Sequence, residues 1–267
     1  MLDLIINADQ LRDDAPVVRL GLSIAARNAA FVTGVQIVAS YPPIMMSPAA
    51  AGLIESHERE ARARSIWWHE LCDRRDLRGE WEVLCGDPVM VLAKRSRLAD
   101  FIVSALPVDA PDAPIGFDNI TRTLFADASP MLLVPDSWAG SASPDSILIA
   151  WNGSGEAADA IRAALPLLRS ARSVRVLDGE IDGLPGVSPP PLPLRQWLSR
   201  HGVEVQWQQF NPSGQEAGKA LLQEARDMGA DLLVMGAWGR SRLSELVLGG
   251  ATRHVLEHTH LPLLLAH

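Results

Sequence analysis

Ala230-Asp231-Leu232-Leu233-Val234-Met235-Gly236-Ala237-Trp238-Gly239, running on to Gly249-Gly250-Ala251-Thr252, is the stretch from which the fold is read. It opens as a short apolar run bounded by glycine, the pattern of a buried strand. The strand stops at Gly236, and Gly239 follows after two residues. Arg240 to Leu248 then lead to the Gly249-Gly250 pair, and an amphipathic run carries Val255, Leu256 and Leu261 up to Pro262. Glycines at the carboxyl end of a strand let backbone N–H groups approach an anion with no Cβ in the way. A second glycine pair at a helix start adds free N–H donors and the positive end of the helix dipole. One glycine pair alone would indicate only a tight turn. Two sets at this spacing, directly after a buried strand, can hold a polyphosphate from both sides.

Upstream, strands alternate with helices. Leu2–Ala8, Val32–Ala39, Trp81–Cys85, Ala99–Leu106 and Met131–Val134 read as strands. Between them, Val17–Ala30, Glu55–Arg75 (with Ile66, Trp67 and Leu71 on its apolar side), Pro88–Leu98 and Asp118–Ala128 read as helices. Tyr41–Pro48 and Pro107–Pro114 read as loops. Pro135–Pro144, rich in small and turn residues, has the composition of a linker. The order then repeats, with strands at Ile147–Trp151, Val174–Leu177, Val203–Phe210, Ala230–Met235 and Leu263–Ala266. Helices are expected at Gly155–Arg169, Leu194–His201 and Gln215–Met228, and a proline-interrupted loop at Gly179–Pro193.

This repetition predicts an internal duplication, with domains at 1–138 and 144–267. Ala99-Asp100-Phe101-Ile102-Val103 corresponds to Ala230-Asp231-Leu232-Leu233-Val234. Pro130-Met131-Leu132-Leu133-Val134 corresponds to Pro262-Leu263-Leu264-Leu265-Ala266. Strands alternating with helices imply two tandem, doubly wound α/β domains with parallel sheets. The halves differ where ligand is expected. After the strand at Phe101 comes Ser104-Ala105-Leu106-Pro107, with no glycine pair, and Phe117-Asp118 stands where Gly249-Gly250 lie later. A carboxylate there would repel phosphate, so the first half is expected to lack the site.

Gly-x2-Gly-x9-Gly with a nearby Thr resembles the nucleotide-binding signature of the universal stress protein family, matched at Gly236, Gly239, Gly249 and Thr252, with Arg240-Ser241 after the second glycine. The tandem members of that family have this two-half arrangement, so the resemblance covers essentially the whole chain. It implies the adenine nucleotide alpha hydrolase-like fold and a C-terminal domain that binds ATP, ADP or AMP, with Mg brought in by the nucleotide. The implied contacts are Ala150, Trp151, Asn152, Met235, Gly236, Trp238, Gly239, Arg240, Gly249, Gly250, Ala251 and Thr252. Two positions depart from the pattern. Gly250 replaces the usual Ser or Thr, which removes a hydroxyl donor, and Asn152 replaces an Asp at the adenosine end, which removes a charge. Asn152 reads equally as a turn former. Trp238 reads equally as a base-stacking ring or as packing against the neighbouring loop.

The resemblance further implies pairing of the terminal strands Met131–Val134 and Leu263–Leu265, in a tandem chain between the two halves as a pseudo-twofold, with dimerisation as a second step. A net charge of −8 and a pI near 5.4 exclude nucleic acid as the main partner, since phosphate-backbone binding needs a basic face. The clusters Arg59-Arg62-Arg64 and Arg74-Arg75-Arg78 are interleaved with acids and read as solvated helix faces. Cys72 and Cys85 read as buried free thiols. There is no secretory n-region and no apolar run near the roughly 20 residues of a membrane span, so a cytoplasmic protein is expected. His254, His258 and His260 suit the negative end of a helix dipole and lack a metal-site partner. Neither Gly-x-Ser-x-Gly nor a Walker pattern is present, and no acid pair or activated Cys or Lys stands out, so nothing here argues positively for an enzyme. The rival readings are an interaction module that kept the fold without the nucleotide and, on fold analogy alone, a hydrolase or transferase.

Overall fold

The apolar runs form parallel strands because helices cover both of their faces. The computed structural model of the protein describes residues 1–8, 12–40, 48–106, 119–126, 129–140, 142–180, 190–212, 216–237 and 250–267. Its contacts divide the chain into two units, Met1–Ser143 and Pro144–His267. The first runs β1 (Asp3–Asn7), α1 (Pro16–Asn28), β2 (Phe31–Ala39), α2 (Pro48–Ala63), α3 (Ser65–Asp73), β3 (Arg78–Gly86), α4 (Pro88–Ser96), β4 (Phe101–Leu106), α5 (Asn119–Phe125) and β5 (Met131–Pro135). Its strands are parallel, in the order β3-β2-β1-β4-β5.

The second unit repeats this plan. It runs β6 (Ser146–Trp151), α6 (Gly155–Ser170), β7 (Ser173–Asp178), α7 (Leu194–Arg200), β8 (Gln206–Gln209), α8 (Ala217–Met228), β9 (Leu232–Gly236), α9 (Gly250–His258) and β10 (Leu263–Ala266). The order β8-β7-β6-β9-β10 is again parallel. In both units the chain steps outward for three strands and then reverses across the first. Right-handed crossovers therefore place the helices on the two faces of each sheet. Central residues such as Ile6, Val103 and Leu132, and Ile149, Val234 and Leu264, are fully buried.

Local chemistry sets the ends. Pro88 at the first helical position and Asp87, whose side chain accepts from the Met90 N–H, start α4. Ser154 does the same for α6 by accepting from Ala157 N. Gly229, at φ 63°, ends α8 in the left-handed conformation. The Asp that opens both repeated motifs has one role in each unit. Asp100 accepts the Asp3 N–H at 2.7 Å, and Asp231 accepts the N–H groups of Asp145 and Ser146. Each carboxylate thus supplies acceptors to backbone donors at the start of the central strand.

The structure corrects several expectations. The single helix over 55–75 is two, α2 and α3, joined at Arg64 with ψ −5°. The Ala61 carbonyl takes the Trp81 indole N–H at 2.9 Å and the Arg64 N–H at 3.2 Å, so it no longer serves a continuing α-helix. The change of phase turns Ile66 out to solvent at 69% exposure and turns Trp68 in. Trp68 lies over Gly34 of β2, where a Cβ would fall 2.6 Å from its ring. The strand expected over 203–210 is confined to Gln206–Gln209. Phe117-Asp118 lies outside the described residues.

Cys72 is buried as expected, but Cys85 is exposed. Burial pushes the Cys72 thiol up to about 11. The Cys85 thiol is also raised, first by partial burial and then by the adjacent Glu58 carboxylate. The thiolate is the reactive form. Native protein treated with a thiol reagent near neutral pH is therefore expected to label slowly at Cys85 alone, with Cys72 reacting only after denaturation; peptide mapping reads this, and equal labelling of both would contradict it. Asp231→Ala leaves two backbone donors without their carboxylate, and a cost of about 1–3 kcal/mol in urea unfolding is expected.

Candidate functional site

In open parallel sheets, ligands collect outside the carboxyl ends of the strands where the order reverses. In the second unit that place lies between β6 and β9. Ala150 of β6 stands opposite Leu177 of β7 on one side and Met235 of β9 on the other. This rung floors a cavity of about 320 Å³, within the range of small-molecule sites. Trp151, the last residue of β6, lines it, with Asn152 and Gly179 just beyond the strand ends. Phe210 and Pro212 follow β8, Ala217 and Leu221 come from the start of α8, and Gly236 closes β9. Gly250, Ala251 and Thr252, the first turn of α9, complete the wall. The start of a helix carries the positive end of its dipole, and α9 directs it at this wall.

Of the residues expected from sequence, Ala150, Trp151, Asn152, Met235, Gly236, Gly250, Ala251 and Thr252 come together in this cavity. Trp238, Gly239, Arg240 and Gly249 lie outside the described residues. Leu177, Gly179, Phe210, Pro212, Ala217 and Leu221 were not foreseen. Their signal is positional: each lies at the end of β7 or β8, or in the first turns of α8, where the topology directs ligand.

The two described glycines of the motif differ in kind. A Cβ on Gly236 would lie 2.6 Å from the Ala157 nitrogen, so its bareness is required by the close packing of α6 on the strand end. A Cβ on Gly250 would meet nothing within 4 Å, so that position has room for a side chain. Asn152 both lines the cavity and shapes the turn into α6, its Oδ1 accepting from Ser154 N at 3.1 Å. Gly153, at φ +73°, completes that turn. Trp151 is almost fully buried, with its indole N–H held by Glu180 Oε2 at 2.8 Å. Among the described lining residues none is charged. What the wall offers is apolar surface at the strand ends and the positive dipole end of α9.

At the other end of α9 the rings of His254 and His258 stack, with centroids 4.2 Å apart, and His258 Nδ1 bonds the His254 carbonyl. They stand in the last turns of the helix. No described helix is long and apolar enough to cross a membrane.

Comparison with known proteins agrees with this architecture. The sequence model of the Universal stress protein family matches residues 209–267, which include β9 and α9. Universal stress protein Slr1230 of Synechocystis sp. is 29% identical over 200 residues, an alignment covering 71% of this chain and 59% of that protein. This chain thus spans less than two thirds of its curated relative. Among solved structures, a universal stress protein from Archaeoglobus fulgidus superposes with a TM-score of 0.70 at 15% identity, over 99% of this chain and 95% of the other. Protein PA1789 of Pseudomonas aeruginosa, described as functionally unknown, gives a TM-score of 0.54 at 15% identity, over 99% and 91%. At these identities the structures speak for the fold alone. The C-terminal stretch 209–267 thus matches the universal stress protein family, and the chain as a whole is similar to its members.

Proposed function

We propose that the C-terminal unit binds an adenine nucleotide, ATP, ADP or AMP, as a regulatory ligand in a stress response. The observation that carries this reading is the convergence of three separated stretches, 150–152, 235–236 and 250–252, on one cavity at the strand ends. The apolar part, with Trp151, Phe210 and Met235, suits a base and ribose; the first turn of α9 suits phosphate. Similarity to universal stress proteins supports the stress-response role. Mg²⁺ enters with the phosphates, because no carboxylate is among the described lining residues. Binding that orders the surrounding loops would change the surface offered to partners, which is a regulatory mode needing no catalytic residues. The rival reading, an interaction protein that has lost the nucleotide, is favoured by one observation: Gly250 leaves open the space where a hydroxyl would face phosphate.

Calorimetry separates the two. Sub-millimolar binding of AMP, ADP or ATP is expected, and no heat with any of them at millimolar ligand decides for the rival. Gly250→Ser places a hydroxyl at the vacant position. One added hydrogen bond tightens ATP by about 2–10-fold, with adenosine unchanged. Equal tightening of adenosine would show that the hydroxyl does not meet phosphate.

A further inference from the structure

A second, smaller cavity of about 180 Å³ lies on the far side of Trp151, which lines both. Ala158, Ile161 and Arg162 of α6 form one wall; Leu192, Pro193, Leu194 and Trp197, at the start of α7, form the other. The geometry points to a binding site for a small aromatic carboxylate, with the ring between the indoles of Trp151 and Trp197 and the carboxylate on Arg162.

Three observations carry this. The first is size: a dry cavity of about 150 Å³ accepts one benzene ring, so this space fits a single ring and excludes a nucleotide. The second is preorganisation. Glu180 takes the Trp151 indole N–H on Oε2 at 2.8 Å, and its Oε1 faces the Leu192 N–H at 3.4 Å. One carboxylate thereby ties both walls in place. Gly153 accommodates it, since a Cβ there would fall 2.5 Å from Glu180 Oε1. Behind the opposite wall, Trp197 is backed by His201, with ring centroids 4.1 Å apart and a tilt of 32°. Side chains already fixed lose little entropy when ligand binds.

The third observation is charge. Arg162 is the charged residue among those lining the cavity, and its side chain is 62% exposed. Its described ion-pair partner is Asp159, one turn back on the same helix. A guanidinium at the mouth of an apolar slot matches an anion carried on a ring, and its planar donors suit a carboxylate. Leu192 is 51% exposed at the rim and would be covered by the same ligand. This site does not rest on the nucleotide reading; the two share only the Trp151 wall.

Benzoate is the probe, titrated into the full chain and read by calorimetry and by tryptophan fluorescence. Binding is expected, with benzyl alcohol and Arg162→Gln each weakening it about tenfold or more, the loss of one charge-assisted bond. Ala158→Phe, at a half-buried position outside the larger cavity, fills the slot; it should abolish benzoate binding and leave AMP binding as it was. If Ala158→Phe fails to fold, the Arg162→Gln and benzyl alcohol comparisons decide alone. The proposal is overturned if benzoate shows no binding at millimolar concentration, if Arg162→Gln binds it equally, or if AMP competes with it directly. Failure of AMP to bind while benzoate binds sinks only the nucleotide reading.

Discussion

Parallel pairing of β6 with β9 joins segments more than eighty residues apart, and the site can exist only if that pairing is in the right register. Ile147 must face Leu232 for Ala150 to reach Met235 and for the first turn of α9 to arrive beside Trp151. A slip of one residue would exchange the strand's side chains between its two helix-covered faces, so each would meet packing shaped for its neighbour. Two things hold the register. Leu232, Leu233 and Val234 are fully buried on alternate faces, so the slipped state mispacks both sides of the strand. Asp231, just before the strand, accepts two consecutive backbone N–H groups at the start of β6. Its carboxyl sits above the usual range because burial outweighs those hydrogen bonds. The group is therefore more favourable to folding in acid, and that contribution is lost as pH rises through its folded value.

The same Asp, in the same place, serves the first unit through Asp100 and Asp3. The two units thus start the central parallel strand in the same way, while the residues after their fourth strands differ. In the second unit β9 ends in Gly236, bare because α6 packs directly on it, and that close approach narrows the strand end into the cavity wall. In the first unit β4 ends in Ser104-Ala105-Leu106, and Ser104 accepts from the Asn7 amide at 3.2 Å.

Trp151 illustrates how the site is tuned from outside. It closes the floor of the larger cavity, forms one wall of the smaller one, and owes its orientation to Glu180, a residue beyond the next strand. Asp178, two residues earlier, holds Trp207 in the same manner through its indole N–H. The carboxylates at the end of β7 fix aromatic rings and are not part of the larger cavity's wall, which leaves that wall uncharged among its described residues.

From sequence alone, the alternation of strand and helix and its repeated order were legible, because each is a local pattern of side-chain burial. So were Asn152 at the strand end and the vacancy at Gly250. Tertiary contact decided the rest. Ala61 ends α2 because Trp81, twenty residues on, takes its carbonyl. Trp68 rather than Ile66 is buried because that break shifts the helical phase over Gly34. Leu177, Phe210 and Leu221 enter the cavity only because parallel strands bring their carboxyl ends together, and no local periodicity records which distant ends will meet.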